Sequence, residues 1–161
     1  MVLSIIVIFA VVLLDQVTKQ LAVSCLADIS TFPVIKDVFH LTYVENRGAA
    51  FGMLANNRAV FMIISSVGIV ALMVWLIIAK PKDIWTRLGV SFIIGGGIGN
   101  MIDRCARGFV VDMIDCRFIN FYVFNVADSF VCIGCGVVIL TLLIEIIKEE
   151  KQKKNGDGTD E

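Results

Sequence analysis

An excess of charge of either sign is missing from this chain. Its 14 lysines and arginines stand against 15 acidic residues, a formal net charge of −1 at pH 7. No general polyanion-binding surface is implied, so nucleic acid is not an expected partner. Histidine occurs once, as His40, and neither it nor the serines sit in a G-x-S-x-G motif; no H-E-x-x-H occurs either. The usual serine-nucleophile and zinc-protease arrangements are thereby absent. The five cysteines, Cys25, Cys105, Cys116, Cys132 and Cys135, lack metal-type spacing apart from Cys132-Ile-Gly-Cys135. That pair lies inside an apolar run and reads as packing, so no metal or other cofactor is expected. Cys105 and Cys116 flank one polar loop, and whether they pair depends on the compartment the loop faces. No internal repeat of fixed period is present.

What the chain has in excess is apolar surface. Of 161 residues, 58% are hydrophobic; counting the 13 glycines and leaving out the two tyrosines gives about 65%, against roughly 45–50% in soluble domains. The mean hydropathy of +0.87 agrees. A soluble domain of this length buries only about 70% of what its unfolded chain exposes and cannot hide so much. The composition therefore specifies a membrane protein, too short to carry a sizeable soluble domain as well.

A helix needs about 20 mostly apolar residues to cross the hydrocarbon layer. Four stretches qualify, at about 3–25, 59–79, 85–102 and 121–144. The second ends at the stop Lys80-Pro81-Lys82, and the third carries only Arg87 near its end, where it can snorkel. The first lacks the basic leader and cleavage-proximal apolar residues of a signal peptide, and reads as a retained span. The expected fold is an all-α membrane protein of four transmembrane helices, a single integral domain over 1–150. A small extracytoplasmic β-rich cap is expected at about 28–57. Within it Val38–Val44 suggests a strand, and Asn46–Gly52 a turn or short loop. The loop bearing Lys80, Lys82 and Arg87, and the tail bearing Lys148, Lys151, Lys153 and Lys154, are denser in positive charge than the opposite side. This places both termini in the cytoplasm, and the polar segment 151–161 is expected to be a disordered cytoplasmic tail.

Ionisable groups within a span cost roughly 2.5–3.5 kcal/mol each on insertion scales, so each needs a partner, a cavity or a function. With the topology above, Asp15 and Lys19 fall in the outer half of the first span, and Asn100, Asp103 and Arg104 at the outer end of the third. Asn125 and Asp128 lie one to two turns below the outer surface in the fourth. All the clusters converge on one side. Each has a bland reading: Asp15 with Lys19 as an intrahelical ion pair, Asp103-Arg104 as a solvated helix end, Asn46 as a turn residue, and Gly95-Gly96-Gly97 with Gly99 as a packing face. Asp128 is hardest to dismiss, since no basic residue lies within four positions of it. Asp112, in the largely apolar Gly108–Asp115 stretch, is its candidate partner. Two carboxylates in a low-dielectric pocket share a proton near neutral pH and can act as general base and general acid in amide hydrolysis.

Five blocks then align with a known family: Asp15-Gln16-Val17-Thr18-Lys19, Asn46-Arg47-Gly48-Ala49-Ala50-Phe51-Gly52, Gly95-Gly96-Gly97-Ile98-Gly99-Asn100-Met101-Ile102-Asp103-Arg104, Val110-Val111-Asp112-Met113-Ile114 and Phe124-Asn125-Val126-Ala127-Asp128-Ser129. The chain resembles the lipoprotein signal peptidases, or signal peptidase II, four-span aspartic endopeptidases of the bacterial inner membrane. The resemblance implies that Asp112 and Asp128 are catalytic. It further implies that Asn46, Asn100, Arg104 and Asn125 contact substrate and that Asp15 and Lys19 support the site. The implied partners are membrane lipids and prolipoproteins whose lipobox cysteine carries diacylglycerol, cut N-terminal to that cysteine; no obligate protein partner is implied. Gly97 stands where the family commonly has alanine, and the 15 residues between the two acids are few for it. The competing readings are a small proton- or ion-conducting subunit using Asp15, Lys19 and Asp128 as relays, and a structural scaffold. The first needs polar groups at successive depths, and the second gives no reason for the acids to converge.

Overall fold

A computed structural model of the chain describes residues 1–48, 58–119 and 121–156. Its elements in chain order are α1 (Val2–Leu26), β1 (Thr31–Ile35), β2 (Phe39–Asn46), α2 (Arg58–Ala79), α3 (Ile84–Ala106), β3 (Val110–Cys116), a single 3₁₀ turn (Arg117–Ile119) and α4 (Val126–Gly156). The protein is thus mostly helical, with one small sheet.

By length and composition three of the helical segments can cross a membrane: Val2–Leu26, Met62–Ala79 and Val126–Gln152. The third stretch expected to span, 85–102, is helical within α3 but is not apolar enough to join them. Its glycines, together with Arg87, Asn100, Asp103 and Arg104, lower its hydropathy. The packing explains how the fold accommodates this, because α3 lies in the middle and touches α1, α2 and α4. Successive residues rotate about 100° around a helix axis, so Gly95, Gly96 and Gly97 face three neighbours in turn. A Cβ at Gly95 would meet Val11 of α1, one at Gly96 the Ala127 carbonyl of α4, and one at Gly97 the Ile69 side chain of α2. Small residues let helix backbones approach where no hydrophobic force draws them together.

The outward helix surfaces are apolar, with Ile5, Phe9, Ile63, Ile78, Ile139 and Leu140 all exposed. The interior is where charge collects: Lys19, Asp15, Asp103, Asp112 and Asn125 are among the largest fully buried side chains. At the far end, α2 stops where Lys80 takes a left-handed conformation (φ 44°) just before Pro81. The next helix opens with Asp83 as N-cap, accepting the Thr86 N–H at 2.6 Å.

The sheet runs in the order β1-β2-β3, antiparallel throughout. The strand expected over Val38–Val44 is present as β2. Its pairing with β3, which comes from the connection between α3 and α4, was not expected, since Gly108–Asp115 reads as a loop in sequence. Alternation along β3 sends Val111 and Met113 into a core with Ala22 and Leu26 of α1. Asp112 is thereby turned to the other face.

Two boundaries differ from expectation. The last helix begins at Val126 rather than 121, because Asn125 caps it and Phe124 still pairs with Ile114. It also continues through 151–156, part of the stretch expected to be disordered. Residues 157–161 lie outside those described. All five cysteines are free, Cys105 and Cys116 included. Cys132 and Cys135 are exposed on α4 rather than packed in the core. Residues 49–52 of the expected Asn46–Gly52 loop also lie outside those described.

Candidate active site

The last helix starts with a reciprocal cap. The Asn125 carbonyl oxygen accepts the Asp128 backbone N–H at 2.9 Å, and the Asp128 carboxylate accepts the Asn125 N–H at 3.3 Å. This is the logic of a capping box, which satisfies helix N–H groups that have no partner within the helix. Asp128 therefore sits in the first turn of α4.

Asp112 comes from the sheet. In the register, Asn46 lies opposite Val110 and Asp112 opposite Val44, so Asn46 and Asp112 are diagonal neighbours on one face. The Asn46 amide donates to Asp112 at 2.9 Å, and the Asn125 amide donates to its other oxygen at 2.6 Å. Asn125 also donates to the Asn100 carbonyl oxygen at 3.1 Å, and the Asn100 amide donates to Asp128 at 2.7 Å. The two acids, one on a strand and one on a helix, are thus joined by a chain of asparagine amides. Burial pushes the Asp112 carboxyl up to about 6, the Asp128 charge adding to it and the amides of Asn46 and Asn125 opposing it.

Asp115, three residues along, falls on the opposite face of the strand. Burial acts against its ionisation, but hydrogen bonds from Thr42 (2.7 Å) and Arg117 (3.0 Å) outweigh it and hold its carboxyl below the usual range. Of the two acids in this stretch, only Asp112 lines the cavity described next.

Both Asp112 and Asp128 line a cavity of about 1150 Å³. Asn46, Arg47, Asn100, Arg104 and Ser129 complete its polar end, and Gly68, Ile69, Leu72, Ile93, Val131 and Cys132 form an apolar arm between α2, α3 and α4. Arg104 Nη1 donates to the Asn100 backbone carbonyl at 3.3 Å. Arg47 lies 5.6 Å over the Phe109 ring and pairs with Glu45 at 2.9 Å near the mouth.

Asp15 and Lys19 do not reach this cavity. They lie fully buried behind Asn100, paired at 2.9 Å. Lys19 also contacts Asp103 at 3.3 Å and donates to the Asn100 carbonyl oxygen at 2.9 Å. Asp103, read in sequence as a solvated helix end, is 0% exposed. Its burial follows from the way α1 packs on α3, which brings Lys19 to within 3.3 Å of it. Gln16, unremarked in sequence, bridges the same carboxylates, donating to Asp15 at 3.2 Å and Asp103 at 3.4 Å. A Cβ at Gly99 would collide with the Asp15 carboxylate, so glycine here leaves room for that buried side chain.

The family described as Signal peptidase (SPase) II matches residues 7–144. The chain is 49% identical over 141 residues to a lipoprotein signal peptidase of Clostridioides difficile, covering 88% of this chain and 95% of that protein. It is 48% identical over 136 residues to one of Caldanaerobacter subterraneus, with coverages of 84% and 92%. It is also similar to a solved bacterial membrane enzyme at a TM-score of 0.81 and 34% identity, covering 89% of this chain and 94% of that one. A second such structure gives 0.80 and 30%, with coverages of 100% and 94%.

Proposed function

Because the chain belongs to the signal peptidase II family, we propose that it removes signal peptides from diacylglyceryl-modified prolipoproteins by aspartic catalysis, cutting N-terminal to the lipidated cysteine. The observation that carries this is the placement of Asp112 and Asp128 in one cavity, linked through Asn125 and Asn100. The two acids hold one proton between them. Burial, which pushes the Asp112 carboxyl up to about 6, favours Asp112 as the acid; Asp128 takes a proton from water. The resulting hydroxide adds to the scissile carbonyl carbon as Asp112 protonates the carbonyl oxygen. Collapse of the gem-diol breaks the C–N bond and passes a proton to the leaving amine, so that acid and amine are the products.

Asn46, Asn100, Arg104 and Asn125 hold the substrate backbone and the acids at the polar end. The apolar arm takes the hydrocarbon parts of the substrate. The cavity ends in apolar side chains rather than a succession of relay groups, which favours hydrolysis over proton or ion conduction. In this reading α3 is a fourth span, tolerating its polarity because protein rather than lipid surrounds it. Both termini then lie in the cytoplasm of a bacterial cell, and the sheet and site lie at the outer leaflet.

The test is to incubate the purified protein with a diacylglyceryl precursor and with its unlipidated twin. Cleavage of the lipidated form alone, lost in Asp112→Asn and in Asp128→Asn, is the expected result. Substantial cleavage by either variant refutes the dyad, and equal cleavage of the twin refutes the substrate class.

A further inference from the structure

Asp15 and Asp103 share an arrangement. Asp15 Oδ1 accepts the backbone N–H of Ala127 at 2.9 Å, and Asp103 Oδ2 accepts the backbone N–H of Val111 at 3.0 Å. Ala127 immediately precedes Asp128, and Val111 immediately precedes Asp112. Each dyad acid is therefore preceded by a residue whose N–H is held by a buried carboxylate from another element. Lys19 lies between the two carboxylates, 2.9 Å from Asp15 and 3.3 Å from Asp103. Its remaining contact, at 2.9 Å, is the carbonyl oxygen of Asn100, the residue whose amide holds Asp128. An ammonium has three N–H donors, and each has an acceptor here.

We infer that Asp15, Lys19 and Asp103 form a positioning clamp, set back from the substrate, that fixes the separation of Asp112 and Asp128 through the backbone N–H groups of Val111 and Ala127. Three helices and the sheet meet at this point: α1 supplies Asp15 and Lys19, α3 supplies Asp103, and the clamped N–H groups belong to β3 and α4. The inference rests on the reading of Asp112 and Asp128 as the dyad. It assigns Asp103 a role, and gives the α1 pair a specific task rather than mutual neutralisation.

The geometry predicts a separable kinetic effect. The clamp does not line the cavity, so its loss disturbs the alignment of the acids more than substrate binding. A misplacement of about 1 Å costs about 100-fold in rate. The test measures kcat and KM of the full-length purified protein on a diacylglyceryl precursor for Asp103→Ala and Asp15→Ala beside the near-isosteric Asp103→Asn and Asp15→Asn. The alanine variants are expected to lose about 100-fold in kcat with KM within about threefold of the parent. The asparagine variants retain a carbonyl oxygen to accept each N–H, and are expected to recover at least about tenfold of that loss. Should an alanine variant fail to fold, its asparagine counterpart still decides. A kcat loss no smaller than that of Asp112→Asn, or a raised KM with unchanged kcat, overturns the clamp. Alanine variants that keep the parent kcat also overturn it. An inert Asp112→Asn in the same assay shows that such a failure belongs to the clamp alone, whereas an active one removes the dyad reading beneath it.

Discussion

Asn125 donates its side-chain amide to Asp112 across 2.6 Å while its backbone N–H donates to Asp128. One residue is thus bonded to both acids, and it also caps the helix that carries the second. Asn125→Ala removes the amide and the cap together. Loss of an N-cap costs about 1 kcal/mol, and the misaligned acids should lower kcat about 100-fold. Asn125→Ser restores a capping oxygen without the amide donor. It is expected to regain thermal stability but not turnover, a split that melting curves and initial rates on one preparation resolve.

The proton on Asp112 gives a stability signature. Its carboxyl is pushed up to about 6 from the ordinary 3.8, so the folded protein binds that proton more tightly than the unfolded chain does. The contribution is fully present below about pH 3.8 and is lost as pH rises through about 6. Wild type should therefore gain stability relative to Asp112→Asn as pH is lowered from 7 to 4, by up to about 3 kcal/mol. Thermal midpoints of the two proteins across that range check this; parallel curves would contradict it. Removing the neighbouring charge with Asp128→Asn should move the Asp112 titration downward, and removing a donor with Asn46→Ala should move it upward. Carboxyl carbon resonances can follow both.

Glycine substitutions in α3 should differ by direction. Gly96→Ala drives a Cβ into the Ala127 carbonyl, a backbone group that can yield only by moving α4 and with it Asp128. A loss of about 100-fold in turnover is expected. Gly97→Ala meets only Ile69 side-chain carbons at 2.9 and 3.0 Å, which can rotate aside, and should retain most activity. Nothing lies within 4 Å of a Cβ at Gly136, so Gly136→Ala should leave turnover unchanged.

Cys132 lines the cavity, whereas its neighbour Cys135 is exposed without lining it. Cys132→Trp should fill part of the apolar arm and raise KM about tenfold or more, while Cys135→Trp, turned outward, should leave KM unchanged. Steady-state kinetics on a lipidated precursor separate the two. Equal effects would mean that the arm does not receive substrate.

The contrast between Asp112 and Asp103 explains how far the sequence could be read. Asp112 and Asp128 stood out because an acid in an apolar stretch without a local partner is costly, and that cost is visible in one dimension. The strand at β2 was visible as a run of β-branched and aromatic residues. Asp103 was not, because its neighbours Arg104 and Arg107 suggest a solvated end, and its burial follows from where α1 packs. The strand β3 was likewise hidden, since its partner β2 lies more than 60 residues earlier and no local signal encodes that pairing. The start of α4 was misplaced because Phe121–Phe124 continues the apolar run while the cap at Asn125 decides where the helix begins. Periodicity reveals elements and isolated costs; it does not reveal contacts between distant segments.

Asp112 is carried by the sheet and Asp128 by a helix. If the two acids are the catalytic pair, neither element alone holds a complete reaction centre. Tilting one against the other would disarm the protein while leaving every element folded, so its competence is a matter of docking as much as of folding.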